Sequence, residues 1–310
     1  MTDAEIGLGF ALLGTTNAAP ISDADAEAIF ATAWDLGIRR FDTAPLYGGG
    51  LSEERLGRLL CGLPRNEYVL SSKTGRFRDY ARAVTDPKGN PGDWHDYSAE
   101  ATRRSVEASL ERLGTDRLDI VFVHDCDAHI DGALEGALPE LRRMQQEGIA
   151  GAVGCGSNVA ATHEALLEAA ELDVLMVAGR LTLLDQSAAG KLLALAEARG
   201  AVVELAAPFN SGILAAGPDE AATRFDYSQP DQAIRARARE IERICAIHNV
   251  SLRRAALHYP IAHQEVSRLV LGIVEPDGLR ENLADAATPV PNALWEALEA
   301  LGIPNPLRQL

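Results

Sequence analysis

Residues 40–61 read Arg-Phe-Asp-Thr-Ala-Pro-Leu-Tyr-Gly-Gly-Gly-Leu-Ser-Glu-Glu-Arg-Leu-Gly-Arg-Leu-Leu-Cys and are the best guide to the architecture. A short apolar strand pattern leads through a glycine-rich turn into a helical pattern. Ser52 is the predicted N-cap of that helix, with Glu53 and Glu54 in its first turn, where the helix dipole favours carboxylates. Asp42 and Tyr47 stand between the two patterns. The run therefore predicts a strand-helix unit with polar side chains at the carboxyl end of its strand.

The same alternation of a short apolar run with an amphipathic run occurs eight times along the chain. The predicted strands cover residues 6–8, 40–42, 68–72, 118–123, 150–155, 173–177, 202–206 and 269–272, and the helices that follow them cover 24–36, 52–61, 99–113, 131–147, 160–171, 186–199, 231–248 and 276–284. Apolar strands covered by helices are typical of a parallel sheet, and eight such units close into a (β/α)8 TIM barrel.

We therefore predict an α/β protein with one barrel domain over residues 1–310 and a helical extension at 289–310. Two predicted loops on the carboxyl side of the barrel, at 76–97 and 208–230, are too long to be simple turns. Long loops on that side of a barrel usually form lids or binding surfaces, so we expect the substrate to meet them.

Charge and composition exclude several classes of partner. The 310 residues carry a formal charge of −16, whereas nucleic acids and anionic membranes bind to basic surfaces. No apolar run reaches the roughly 20 residues of a membrane helix, and the N-terminus lacks a basic and then apolar leader, so we expect a cytoplasmic protein. The four cysteines form no Cys-x-x-Cys pair, so we expect neither a metal site nor a disulfide framework.

Four polar residues close or follow separate predicted strands: Asp42, Tyr47, Lys73 and His124. A tyrosine hydroxyl with an ordinary pKa of about 10 is a poor base near neutrality, but a neighbouring Lys favours the phenolate and lowers that pKa. Asp42 can anchor the Lys, and His124 can hold the oxygen that Tyr47 protonates. Each residue alone has an ordinary structural explanation. Together they suit hydride transfer, which implies a nicotinamide because no side chain supplies a hydride.

Two motifs carry a resemblance to a known family. Phe-Asp-Thr-Ala-Pro-Leu-Tyr-Gly at 41–48, followed by Ser-Glu-Glu-Arg-Leu-Gly at 52–57, is similar to a signature of the aldo-keto reductases. Ser-Val-Glu-Ala-Ser-Leu-Glu-Arg-Leu-Gly at 105–114 resembles their second signature. The runs at 124–127, 179–186 and 208–214 resemble one branch of that superfamily, the bacterial D-threo-aldose (L-fucose) 1-dehydrogenases and pyridoxal 4-dehydrogenases.

The resemblance implies a role for each matching position. It makes Tyr47 the general acid/base, Lys73 the partner that lowers its pKa, Asp42 the orienting carboxylate and His124 the ligand of the substrate oxygen. For the cofactor it implies contacts to the nicotinamide carboxamide from Ser157 and Asn158, to the pyrophosphate from Ser211, Gly212 and Leu214, and to the adenine from Glu281 and Asn282. The family binds its dinucleotide in an extended form without a Gly-x-Gly-x-x-Gly turn, and that fingerprint does not follow any predicted strand here.

Two departures from the family pattern lie near the nicotinamide ring. Ala178 stands where members often have a Gln that holds the carboxamide. Ala206 stands where an aromatic ring commonly stacks on the nicotinamide, and Phe209 is the alternative for that stacking.

A third departure concerns the choice between NAD and NADP. The residues that hold the NADP 2′-phosphate in many members are replaced by Gly272, Ile273 and Gly278. Glu275 would repel that phosphate and can instead accept hydrogen bonds from the ribose hydroxyls of NAD. Arg280 is the one neighbour that could rescue NADP binding. We therefore expect NAD to be preferred, with NADP as the alternative.

The sequence leaves the substrate and the oligomeric state open. We expect Trp94 and Asp125 to contact a small-molecule substrate, although Trp94 could equally pack on its own loop. The leading interpretation is oxidation of an aldose at C1 to the lactone; pyridoxal 4-dehydrogenase and general aldehyde reductase activities are alternatives. Two further alternatives are a non-catalytic dinucleotide-sensing subunit and a metal-dependent hydrolase. The hydrolase would use His124, Asp125, Asp127, Asp42 and Glu204.

Overall fold

Eight parallel strands close into a barrel in the computed structural model, which describes residues 5–14, 21–78 and 92–308. The described residues contain ten strands, of which all but β4 and β5 belong to the barrel: β1 (Glu5–Gly9), β2 (Arg40–Asp42), β3 (Val69–Thr74), β4 (Arg76–Arg78), β5 (Asp93–His95), β6 (Leu118–His124), β7 (Ala150–Ser157), β8 (Val174–Ala178), β9 (Val202–Ala206) and β10 (Val266–Gly272). The order around the barrel is β1-β10-β9-β8-β7-β6-β3-β2, and β4 pairs antiparallel with β5 outside it. The predicted TIM barrel is confirmed.

Helices surround the barrel, and the eight predicted ones occur in the predicted order, with additional helices at 213–216 and 252–261. They are α1 (Asp23–Asp35), α2 (Leu51–Leu60), α3 (Ala99–Leu113), α4 (Ile130–Gly132), α5 (Leu138–Gln146), α6 (Ala160–Ala169), α7 (Lys191–Arg199), α8 (Ile213–Ala216), α9 (Gln232–Ile247), α10 (Leu252–Ile261), α11 (Pro276–Ala287) and α12 (Asn292–Glu299). A π-helical turn, Ala133–Ala137, joins α4 to α5. In the part of the chain described, no helix is both long and apolar enough to cross a bilayer.

Two local predictions need correction. Ser52 does not cap α2, because the helix begins one residue earlier after Gly50, whose backbone is left-handed with φ of 102°. The Ser52 hydroxyl is instead buried, donating to the Phe10 carbonyl at 2.9 Å and pairing with the Thr43 hydroxyl at 2.8 Å. The predicted loop at 76–97 contains the β4-β5 ribbon, and its residues 79–91 lie outside the described part of the chain.

A buried ion network fills the barrel toward the amino ends of its strands. Glu204 on β9 is 2% exposed and accepts from Arg40 at 3.1 Å and from Arg268 at 3.0 Å. Burial raises the pKa of Glu204 and the two guanidinium groups oppose that rise. Each charge of this network has an opposite charge as its partner inside the barrel, so we assign the network to the fold. The chemistry is then expected at the opposite end of the barrel, at the carboxyl ends of the strands.

Candidate active site

The four residues predicted to exchange a proton lie together at the carboxyl edge of the barrel. Asp42 ends β2, Lys73 lies in β3 and His124 ends β6, and these strands are neighbours. Tyr47 begins the 3-10 turn Tyr47–Gly50 that follows β2. The Tyr47 and His124 rings are perpendicular, with centroids 5.8 Å apart, and the Lys73 Nζ lies 4.9 Å from the Tyr47 ring centroid.

Hydrogen bonds fix the Lys73 ammonium beneath Tyr47. Lys73 is 2% exposed and donates to Asp42 Oδ2 at 2.5 Å and to the Thr43 carbonyl at 2.9 Å. Ser71 donates to the other oxygen of Asp42 at 2.8 Å. Burial by itself would lower the pKa of Lys73, but the charges of Asp42 and Tyr47 outweigh it and raise the pKa. Lys73 is therefore a fixed cation across the working pH range.

The environment of Tyr47 raises its pKa to about 12. Burial is the largest cause, Asp42 and Tyr227 add to the rise, and Lys73 opposes it. Lys73 therefore acts in the predicted direction, but burial outweighs the ammonium and the net effect is a raised pKa. Near neutral pH the site presents a neutral phenol, which is a proton donor.

Close backbone contact positions Tyr47. A Cβ on Gly48, which has φ of +69°, would lie 2.4 Å from the Gly14 carbonyl oxygen. A Cβ on Gly14 would lie 2.4 Å from the Tyr47 carbonyl carbon. Both contacts are far shorter than any side chain allows, so glycine is required at both positions for the loop after β1 to hold the Tyr47 turn.

A second ion network joins the β4-β5 ribbon to the loop after β6. Arg76 donates to the Asp125 carboxylate and, at 3.1 Å, to Asp93, which is fully buried. The Asp125 carboxylate lies 3.9 Å from His124 Nε2. The β4 strand also packs against the turn that carries Tyr47. The ribbon thus forms one wall of the mouth, and Asp125 stands beside the proposed chemistry.

Trp94 lies on this ribbon. Its ring is half-buried and packs on Phe77 with centroids 4.6 Å apart. Trp94 therefore packs within its own loop, which was one interpretation. It also belongs to a segment that borders the mouth, which the other interpretation, a substrate contact, requires. A substrate contact remains a prediction.

Sequence reasoning missed Arg76 and Tyr97. The Tyr97 hydroxyl donates to the carbonyls of His124 at 2.8 Å and Asp125 at 3.0 Å, which fixes the backbone beside the proposed oxygen ligand. Gly75 makes this possible, because a Cβ there would lie 2.2 Å from the Tyr97 ring. Arg76 lies two residues after the end of β3, a position that could have marked it as a site residue, whereas no sequence pattern marks Tyr97.

The residues predicted to hold the nicotinamide end of a cofactor follow β7 and β9. Ser157 ends β7, where its hydroxyl donates to Asp127 at 2.6 Å, and the Asn158 carbonyl accepts from Arg180 at 2.6 Å. After β9, Phe209 is half-buried against the core, and Ser211 and Gly212 have left-handed backbones. The Leu214 side chain is buried in α8 and its amide donates to the Phe209 carbonyl at 3.2 Å.

The residues predicted to hold the adenosine end follow β10. Gly272 ends β10, and Glu275 is exposed with its Cγ 3.6 Å from a Cβ built on Gly278. Glu281 accepts from Arg253 at 2.5 Å, and Asn282 is buried. Arg280, which could favour NADP, donates to Asp277 at 2.8 Å.

These positions follow β10, β9 and β7. With β8 between them, these strands form one side of the barrel, and the next strands in the order are β6, β3 and β2, where the four proton-transfer candidates lie. The residues of the alternative hydrolase site are dispersed, since Asp127 binds Ser157 and Thr162 while Glu204 lies in the ion network toward the amino ends. Within residues 5–14, 21–78 and 92–308, no group of three His, Cys, Asp or Glu side chains could hold a metal ion.

Comparison with known proteins agrees with this geometry. The model of the Aldo/keto reductase family matches residues 5–303. A D-threo-aldose 1-dehydrogenase from a Pseudomonas species is 38% identical over 97% of this chain and 95% of its own length. A pyridoxal 4-dehydrogenase from Microbacterium luteolum is 36% identical over 98% and 95%. The holo form of aldo-keto reductase AKR11C1 from Bacillus halodurans shares the fold, with a TM-score of 0.74 at 24% identity over 96% of this chain and 91% of its own.

Proposed function

Because this chain belongs to the aldo/keto reductase family and is an oxidoreductase of that type, we propose that it oxidises an aldose at C1 to the lactone with NAD as cofactor. The arrangement of Tyr47 over the buried Lys73-Asp42 pair, with His124 facing the same ring, carries the proposal. The 38% identity to an aldose 1-dehydrogenase over nearly the full length of both chains supports this choice of substrate class.

The donor set at the mouth fits an extended dinucleotide. Its members follow β10, β9 and β7 on one side of the barrel, so a ligand along that side ends beside β6 and the proton-transfer residues. We propose that Ser157, Asn158 and Phe209 contact the nicotinamide, Ser211, Gly212 and Leu214 the pyrophosphate, and Gly272, Glu275, Glu281 and Asn282 the adenosine. When bound, the nicotinamide accepts the hydride that leaves C1.

Side chains of this chain carry out and support the proton transfer. In the oxidation direction Tyr47 accepts the proton of the C1 hydroxyl, and the Lys73 ammonium stabilises the negative charge that Tyr47 needs in order to do so. Asp42 and the Thr43 carbonyl keep Lys73 in place. His124 hydrogen-bonds the reacting oxygen. In the reduction direction Tyr47, neutral at pH 7, donates the proton.

A substrate panel tests the proposal. Aldoses, pyridoxal and aromatic aldehydes are assayed with NAD⁺, NADP⁺, NADH and NADPH, with Tyr47→Phe as the inactive control. We expect an aldose to give the highest kcat/KM with NAD⁺. A preference for pyridoxal, which the 36% identical relative makes the second candidate, would change the substrate but keep the mechanism. Turnover of none of them would favour a non-catalytic dinucleotide-binding role.

A further inference from the structure

The loop after β6 carries a carboxylate that is fixed through both its backbone and its side chain. Asp125, the first residue after β6, has a left-handed backbone with φ of 47°. Its amide donates to the Gly156 carbonyl at 2.9 Å, and its carbonyl accepts from the Tyr97 hydroxyl at 3.0 Å. Its carboxylate accepts from Arg76 Nη1. These contacts hold the carboxylate in one place at the barrel mouth.

The Arg76 guanidinium connects the β4-β5 ribbon to this loop. Through Nη2 it donates to Asp93 at 3.1 Å. Asp93 is fully buried and also accepts from Arg78 at 2.5 and 3.0 Å. A guanidinium is a rigid fork of donors, so it can bind two carboxylates at once in fixed directions, which a flexible ammonium cannot. Arg76 therefore sets the position of the Asp125 carboxylate relative to the ribbon.

The Asp125 carboxylate lies next to the place of the reacting oxygen. The atom that Arg76 holds, Oδ2, is 3.9 Å from His124 Nε2, which is too long for a hydrogen bond between the two side chains. Nδ1 of His124 is buried, so Nε2 is the nitrogen that can meet the C1 oxygen of the substrate, at about 3 Å. The carboxylate is then within reach of a hydroxyl on the carbon next to C1.

The fold alone does not explain a carboxylate at position 125. Asn adopts a left-handed backbone as readily as Asp, so the backbone conformation does not select the charged group. A carboxylate beside the reaction also has a cost, because it repels the negative charge that the C1 oxygen and Tyr47 share during proton transfer. The positive charge of Arg76 offsets that repulsion. A contact with the substrate accounts for both residues.

We propose that Arg76 is a positioning residue that presents the Asp125 carboxylate to a hydroxyl on the carbon adjacent to the reacting carbon. An ionised carboxylate has acceptor sites only, so it recognises a hydroxyl as its donor. Aldoses carry this hydroxyl at C2, whereas 2-deoxy sugars and simple aldehydes do not. The inference rests on the proposed function and names the part of an aldose that the Arg76–Asp125 pair selects.

Two variants and a matched control test this inference. Asp125→Asn keeps the size and the backbone preference of the residue but removes its charge, and Arg76→Gln breaks the same ion pair from the other side. Arg78→Gln is the control, because Asp93 then keeps one of its two arginines, as it does in Arg76→Gln. For each protein, kcat/KM is measured at saturating NAD⁺ for an aldose and for its 2-deoxy analogue.

We expect the ratio of the two kcat/KM values, aldose over 2-deoxy analogue, to fall by about tenfold in Asp125→Asn and in Arg76→Gln. The reason is that a hydrogen bond to a fixed charged acceptor is replaced by a weaker or misplaced one. Arg78→Gln should keep the wild-type ratio. General damage to the site would lower both values together and leave the ratio unchanged, and the intrinsic reactivities of the two sugars cancel when proteins are compared.

Three results would overturn the inference: an equal ratio in the wild type and Asp125→Asn, a wild-type ratio in Arg76→Gln, or a loss in Arg78→Gln as large as in Arg76→Gln. Absence of turnover of both sugars would instead overturn the proposed function. The ratio is then measured in the reduction direction with lactaldehyde and propionaldehyde, which differ by the hydroxyl on the carbon next to the aldehyde. An unchanged ratio across the four proteins would overturn the inference there as well.

Discussion

The raised pKa of Tyr47 predicts that the two directions of the reaction depend differently on pH. With a pKa of about 12, the phenolate fraction is about 10⁻⁵ at pH 7 and about 10⁻³ at pH 9. If oxidation needs the phenolate, its kcat/KM should rise by about 100-fold across this interval. Reduction needs the neutral phenol, which dominates throughout, so its rate should stay nearly constant.

We expect the protein to remain folded between pH 7 and pH 9. The pKa of Lys73 is raised in the folded protein, so the stability that Lys73 contributes is fully present below its unfolded pKa of about 10.4 and is lost only as pH rises through the folded value. The pKa of Tyr47 is raised as well, so its resistance to ionisation lowers stability only above about pH 10. Measurements between pH 7 and 9 therefore report on chemistry rather than unfolding.

The assay is the initial rate of NADH formation or consumption at limiting substrate, for the wild type and for Tyr47→Phe. The variant should lose at least about 100-fold in kcat, keep its NAD⁺ affinity and lose the alkaline rise. Two results would refute the reasoning: a flat oxidation profile in the wild type, or the same alkaline rise in Tyr47→Phe. Circular dichroism at both pH values checks that each protein remains folded.

Three further predictions concern stability, substrate and cofactor. Lys73→Met should lower the free energy of unfolding by about 3–5 kcal/mol, because it leaves the buried Asp42 carboxylate without its partner. The double change Asp42→Asn with Lys73→Met should recover most of that free energy, as measured by urea denaturation. Trp94→Ala should change KM or the order of substrates with a small shift in Tm, and identical kinetics across the panel would assign Trp94 to packing alone. NAD should exceed NADP by about tenfold or more in kcat/KM, or about 1.4 kcal/mol, and Glu275→Gln should narrow the gap; equal efficiency of the two cofactors in the wild type would contradict the electrostatic argument.

The barrel and the identities of the proton-transfer candidates were predictable from the chain alone. The alternation of strand and helix patterns depends on neighbours a few positions away, and such local preferences are visible in sequence. The carboxyl ends of parallel strands share one edge of a barrel, so polar residues that close separate strands must meet there. Asp42, Lys73 and His124 follow this rule.

Contacts between residues far apart in the chain decided the features of the site that the sequence does not predict. The Arg76–Asp125 ion pair joins residues 49 positions apart, and the Arg180–Asp226 ion pair joins residues 46 positions apart, so no local pattern marks either pair. The pKa of Tyr47 is the clearest case. The sequence supplies Lys73, whose charge lowers that pKa, but the degree of burial is a property of the packed mouth, and burial is the larger effect. Residue types therefore indicate the proposed chemistry, whereas the pH range of that chemistry depends on how far tertiary packing removes water from the Tyr47 phenol.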